Sequence, residues 1–181
     1  SLGATAIYAT PAVQPAETQS PFIWEKNRLT TPFYILEWNA SGQLQRIFDR
    51  EAKREVLKEG EFGNVLQVFE DKPMEYDAWN IDIEYLEKSR SITELISMEV
   101  IQNGELSTTV QIKWSYMDST VAQSMTVYAS QRQIEFNTTV DWHEQHQLLK
   151  VAFPVSIRST EATYDIQFGN VKRPTHWNTS W

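Results

Sequence analysis

His143 and His146 lie three residues apart in "DWHEQH", with Glu144 between them. Two imidazoles and a carboxylate are the raw material of a metal site. The zinc-protease pattern, however, sets its histidines four apart on one face of a helix. On a strand, a spacing of three sends the two rings to opposite faces, and only a turn would let them meet. The plainer reading of "DWHEQH" is a charged strand end. A second set is the acidic stretch Asp71, Glu75, Asp77, Asp82 and Glu84. A glycosidase holds two carboxylates roughly 5 to 10 Å apart across the bond it cleaves. Acids this closely spaced offer such pairs by chance, and a solvated negative loop explains them equally well.

The aromatic residues Trp79, Trp142, Trp177 and Trp181 raise a different chemistry. Exposed rings stack on the apolar faces of sugars, whereas core packing explains most tryptophans of a β domain. Trp79 and Trp177 sit beside loop residues and are the candidates for ligand contact. Arg173, His176 and Asn178 form a polar cluster suited to a ligand, to an adjoining domain or to plain surface. Gly60 and Gly63 precede a strand instead of opening a helix, so they do not form a phosphate loop.

The elements that must position these groups are strands. "ITELISMEVIQNGELSTTVQIKWSYMDSTVAQSMTVYASQRQIEFNTTVDW" reads strand, turn, strand, turn, strand, turn, strand. Val110, Ile112 and Trp114 share a face, as do Met125, Val127 and Ala129, and as do Ile134, Phe136, Thr138 and Val140. Short turns make the neighbours antiparallel. Upstream, a hairpin runs from about Phe33 to Trp38, through a turn at Asn39 to Gly42, and back over Leu44 to Phe48. "GNVLQVFEDKP", "LLKVAFPV" and "ATYDIQFG" add further strands. "DREAKREVLKEG" reads as one helical turn or a charged loop. "YDAWNIDIEYLEK" fits helical spacing and alternation alike. No long amphipathic helix stands out, so the expected fold is all-β, an antiparallel β-sandwich.

Bulk properties narrow the function classes. The 181 residues suffice for one domain with a core. A net charge of −8 disfavours a nucleic-acid surface, which needs clustered positive charge. No stretch has the apolar length of a membrane span. The absence of cysteine removes disulfides and thiolate chemistry, and it fits a reducing compartment.

Four stretches carry a family resemblance. "LTTPFYILEWNASGQLQRIFDREAKREVL", "GEFGNVLQVFEDKPMEYDAWNIDIEY", "IEFNTTVDWHEQHQLLKVAFPV" and "ATYDIQFGNVKRPTHWNTSW" together resemble the β-rich C-terminal region of family 38 glycoside hydrolases, the class II alpha-mannosidases. Within that family the chain looks closer to the bacterial, cytoplasmic members than to the Golgi or lysosomal ones. The resemblance implies a galactose mutarotase-like, glycosidase supersandwich fold. It also implies a parent enzyme that hydrolyses alpha-mannosides with retention. The zinc ion and the catalytic aspartate would belong to an N-terminal α/β domain, followed by a helical region, neither of which is in this chain. No residue here matches the zinc or nucleophile motifs.

The resulting expectations are specific. Residues 1–21, with three prolines, form a linker or extended segment, and 22–181 form the β-sandwich. Ser1 and Trp181 are expected to be the ends of a fragment, whether cloned or proteolytic, truncated at the C-terminal side. The fragment is inactive alone. Asp77, Trp79, Arg173 and His176 are the candidates for pocket-wall or interdomain loops, with no catalytic or metal residue in this chain. The expected partners are an alpha-mannoside or oligosaccharide and the missing domains in cis, with edge-strand self-association and no nucleic acid or membrane. The alternatives are a stand-alone carbohydrate-binding module and a structural or adhesive β domain.

Overall fold

The computed structural model describes residues 20–176. The linker expected over 1–21 therefore falls almost wholly outside the described residues, as do Trp177, Asn178 and Trp181. A first sheet is a meander of five strands: β1 (Ile23–Glu25), β2 (Arg28–Thr30), β3 (Tyr34–Trp38), β4 (Leu44–Asp49) and β5 (Arg54–Glu55), all antiparallel. The β3–β4 hairpin is closed by an Asx turn. Asn39 Oδ1 accepts from the backbone N–H groups of Ser41 (2.9 Å) and Gln43 (3.0 Å), and Gly42 takes φ +74°.

The second sheet holds β8 (Glu94–Asn103), β9 (Ser107–Tyr116), β10 (Ser119–Tyr128) and β11 (Ile134–Asp141) in the order β11-β10-β9-β8. The third joins β6 (Val65–Glu70), β7 (Ser89–Ser91) and β12 (Gln147–Ala152) in the order β12-β6-β7. A two-stranded ribbon, β13 (Glu161–Ile166) with β14 (Gly169–Pro174), follows. Among the described residues there is no α-helix. The ambiguous stretch "YDAWNIDIEYLEK" forms a turn and a short 3-10 helix at Ile83–Glu87, and neither an α-helix nor a strand. "DREAKREVLKEG" forms a turn and then the two-residue β5.

Leu29, Leu36, Trp38, Leu44 and Ile47 of the first sheet share one core cluster with Val110, Ile112, Trp114, Val121, Met125 and Val127 of the second. Period-2 alternation places these side chains on facing surfaces, which is the packing of an antiparallel β-sandwich. Leu66 and Val68 of β6 join the same cluster. Two polar ties cross it. Trp24 Nε1 donates to Thr108 Oγ1 at 3.0 Å. Asn64 Nδ2 donates to Gln123 Oε1 at 2.6 Å, and Gln123 Nε2 donates in turn to Thr138 Oγ1 at 2.9 Å. On β11 the apolar face is only partly covered: Ile134 and Phe136 pack against the core, whereas Val140 is exposed.

Candidate functional site

Two of the polar side chains singled out in the sequence, Asp77 and His146, meet where β6 ends and β12 begins. Gln147 pairs with Glu70 across these antiparallel strands, so the turn before β12 lies beside the loop after β6. The backbone N–H of Asp71 donates to the carbonyl of His146 at 2.8 Å. His146 adopts φ +53°, a left-handed turn conformation. Its Nδ1 lies 3.8 Å from Asp77 Oδ1, which brings the acidic loop against the histidine turn.

A cleft of about 320 Å³ opens at this junction, lined in part by Glu70, Lys72, Lys88, Arg90, His146 and Gln147. Glu70 lies between two ammonium groups, with Lys88 Nζ at 3.2 Å and Lys72 Nζ at 3.2 Å. Lys88 first, and then Lys72, hold its carboxyl below the usual glutamate range. At Tyr116, burial pushes the phenol up; the Arg90 charge opposes this and Glu144 reinforces it. The neutral phenol donates to Gln147 Oε1 at 2.6 Å, and its ring stacks on Trp142 at 5.8 Å. Lys150 Nζ donates to the Tyr85 hydroxyl at 2.9 Å and lies 5.3 Å from the Phe69 ring centroid.

The groups of "DWHEQH" are engaged separately. His143 Nε2 faces Asp141 Oδ1 at 3.0 Å, while His146 faces Asp77. Glu144 Oε1 accepts from the Ser119 hydroxyl at 2.7 Å and from the Asp118 N–H at 3.2 Å, which fastens the β9–β10 turn. Among the described residues, no three His, Asp or Glu side chains converge as metal ligands. The described residues therefore assemble no zinc site.

The four candidate loop residues fall into two places. Asp77 and Trp79 lie in the loop after β6, and the Trp79 N–H donates to the Tyr76 carbonyl at 2.7 Å. The Trp79 ring is exposed. Arg173 lies on β14, with its guanidinium 5.6 Å from the Tyr164 ring centroid, and His176 follows that strand, also exposed. No hydrogen bond or ion pair among the described residues joins the first pair to the second. Glu70, Lys72, Lys88 and Arg90 line the cleft without having been singled out in the sequence. Their one signal is the mixed charge of "EDKP", at the end of the apolar strand β6, and of "EKSR", which runs into the polar strand β7.

Comparison with known proteins gives this arrangement its context. The chain is 38% identical over 155 residues to "Alpha-mannosidase G" of Dictyostelium discoideum, covering 82% of this chain and 14% of that protein. It is 31% identical over an alignment of 191 residues to "Alpha-mannosidase 2C1" of Homo sapiens, covering 100% of this chain and 18% of that protein. To "Alpha-mannosidase" of Saccharomyces cerevisiae it is 30% identical over 126 residues, covering 65% of this chain and 12% of that protein. The chain thus spans less than a fifth of the length of these curated relatives. The family described as "Glycosyl hydrolases family 38 C-terminal domain" matches residues 29–181, from the core residue Leu29 onward, and the chain belongs to that family.

Proposed function

We propose that this chain is the supporting β layer, over residues 22–181, of a retaining alpha-mannosidase of bacterial, cytoplasmic type. The observation that carries the reading is the family 38 C-terminal match over 29–181; among the described residues His143 and His146 each face a single aspartate, and no three His, Asp or Glu side chains converge. Retention requires a nucleophile and an acid/base about 5 Å apart across the glycosidic bond. Both would come from polypeptide outside this chain, as would the zinc. The β layers would buttress that part, and Asp77, Trp79, Arg173 and His176 would face it as pocket-wall or interdomain residues. The absence of cysteine supports the cytoplasmic placement.

The test is hydrolysis of an aryl alpha-mannoside with zinc. The chain alone should give no turnover above buffer, and the full-length polypeptide should give it. Turnover by the chain alone, or none by the full-length polypeptide, overturns the reading. The exposed Trp79 favours one second reading, a carbohydrate-binding module. Saturable binding of mannan oligosaccharides to the chain alone would select it.

A further inference from the structure

Between β6 and β7 the chain turns apolar side chains outward. Met74, Tyr76, Trp79, Ile81, Ile83 and Leu86 are all exposed, Met74 at 94% and Trp79 at 88%. Singly exposed apolar residues are ordinary, but six on one loop make a patch that calls for an occupant. The loop is held in shape. The Met74 N–H donates to Asp82 Oδ2 at 2.8 Å, the Asn80 N–H to the Tyr76 carbonyl at 2.9 Å, and Asn80 Nδ2 to the Glu75 carbonyl at 3.2 Å. Lys150 on Tyr85 and His146 beside Asp77 pin the loop to β12 and to the turn before it. A patch already ordered loses little conformational entropy on docking.

Composition decides the class of occupant. A sugar is gripped by flat rings and by polar groups that match its hydroxyls. Met74, Ile81, Ile83 and Leu86 offer neither. Methionine and aliphatic residues gathered around Trp and Tyr are the make-up of a protein interface core. The loop itself is acidic: residues 74–87 contain Glu75, Asp77, Asp82, Glu84 and Glu87 and no Lys or Arg, and Lys72, Lys88 and Lys150, which border it, offset only part of that charge. The complementary surface is basic at its edge. The relatives are far longer than this chain. This chain spans 14% and 18% of two of them, so more than four-fifths of each lies outside it, on the same polypeptide. Tethering raises the effective concentration of any such surface.

We infer that loop 74–87 is a docking epitope that seats an apolar, basic-rimmed surface of the same parent polypeptide. This rests on the proposed reading of the chain as one layer of a longer enzyme, and it gives Asp77 and Trp79 the interdomain role, not the pocket-wall one. Hydroxyl-radical footprinting with mass spectrometry on the full-length polypeptide tests it. Met74 and Trp79 should label at least about fivefold more slowly in the native polypeptide than after unfolding in urea, and any smaller protection overturns the inference. Protection lost on dilution would assign the patch to a second copy. Protection appearing only with added mannan oligosaccharide would assign it to a sugar. Either result overturns the inference. The variant E84K/E87K, altered only at exposed positions, should restore rapid labelling of Met74, and unchanged protection would sink the basic-rimmed partner. Aryl alpha-mannoside turnover by the same sample separates the two failures: a protected loop without turnover rejects the enzyme reading alone, and turnover with an unprotected loop rejects the epitope alone.

Discussion

Trp114 Nε1 donates to the main-chain carbonyl of Ser41 at 2.7 Å, joining the β3–β4 turn to the face of the second sheet across 73 residues of sequence. The next residue, Gly42, has no room for a side chain. An added Cβ would lie 2.9 Å from Leu95 Cδ1 and 3.0 Å from Ile112 Cγ2, on a backbone at φ +74°. Two variants test this clasp. Trp114→Phe, which strips the Ser41 carbonyl of its donor, should cost about 1–3 kcal/mol. Gly42→Ala, which overpacks the seam, should cost about 1–3 kcal/mol before the left-handed strain is added. Urea unfolding should show a lower midpoint with an unchanged slope for both, and an unshifted midpoint would refute the clasp.

The amide of Gln123 spans the core as acceptor from Asn64 and donor to Thr138. Asn64 is buried, and its Oδ1 already has no hydrogen-bond partner among the described residues. Gln123→Ala would leave the Asn64 amide group unsatisfied as well, at a cost of about 1–3 kcal/mol. The paired replacement Asn64→Ala/Gln123→Ala should then cost less than the sum of the singles. Additive losses in that double-mutant cycle would show that the two amides do not act together.

How much of this was legible in the sequence depended on alternation. In β9 to β11, side chains of one face recur at every second position between short turns, so the strands and their antiparallel pairing could be read directly, whereas β8 breaks the alternation with register shifts between Leu95 and Ser97 and between Val100 and Gln102. β14 could not be read, because "GNVKRP" holds a single large apolar residue and the β13–β14 turn relies on Phe168 at φ +63°, an unusual turn residue. In "NIDIEY" the alternation of Ile81, Ile83 and Tyr85 mimicked a strand, although no sheet covers the loop. The meeting of Asp77 with His146 was invisible as well: it depends on the β6–β12 register, which no local pattern encodes.

Asp49 gives the fold an acid-sensitive joint. Its carboxylate accepts from the N–H groups of Ala52 (2.9 Å) and Glu51 (3.1 Å), and it pairs with Arg132 from the β10–β11 turn. The Ala52 bond, followed by the Arg132 charge and the Glu51 bond, holds it below the usual aspartate range against the opposing effect of burial. A depressed folded pKa contributes stability that is complete above the unfolded value, about pH 4, and is lost as pH falls through the folded one. Asp49→Asn keeps an acceptor but removes the charge. The melting temperature of this variant, followed by circular dichroism, should fall less steeply on acidification below about pH 4 than that of the parent. Parallel curves would dismiss the joint.

Arg173 and His176 are exposed at the end of β14, so their loss should leave folding intact. If they face the missing part of the enzyme as pocket-wall residues, their truncation should act on turnover instead. Arg173→Ala and His176→Ala in the full-length polypeptide should each lower kcat/KM for an aryl alpha-mannoside by about tenfold, which is about 1.4 kcal/mol of transition-state binding. The melting temperature should stay at the parental value. Full kcat/KM in both variants removes them from the pocket wall.

Strands β11 and β12 end their sheets, and each presents an unpaired edge among the described residues. Val151 of β12 is exposed, and beyond the strand Val155 and Ile157 also keep exposed side chains, although the backbone there is tied to residues 56–58 by the Lys58 N–H to Pro154 carbonyl and Ser156 N–H to Val56 carbonyl bonds. Lys150 is the single charged residue of that strand. An apolar edge so lightly charged invites pairing with a second strand. Sedimentation velocity on the chain should therefore show a mass that rises from micromolar to millimolar concentration. Val151→Lys with Val155→Lys places charge at these exposed positions and should return the mass towards that of a monomer. A parent chain that stays monomeric at the highest concentration would mean that this edge is already protected by its own twist and neighbours.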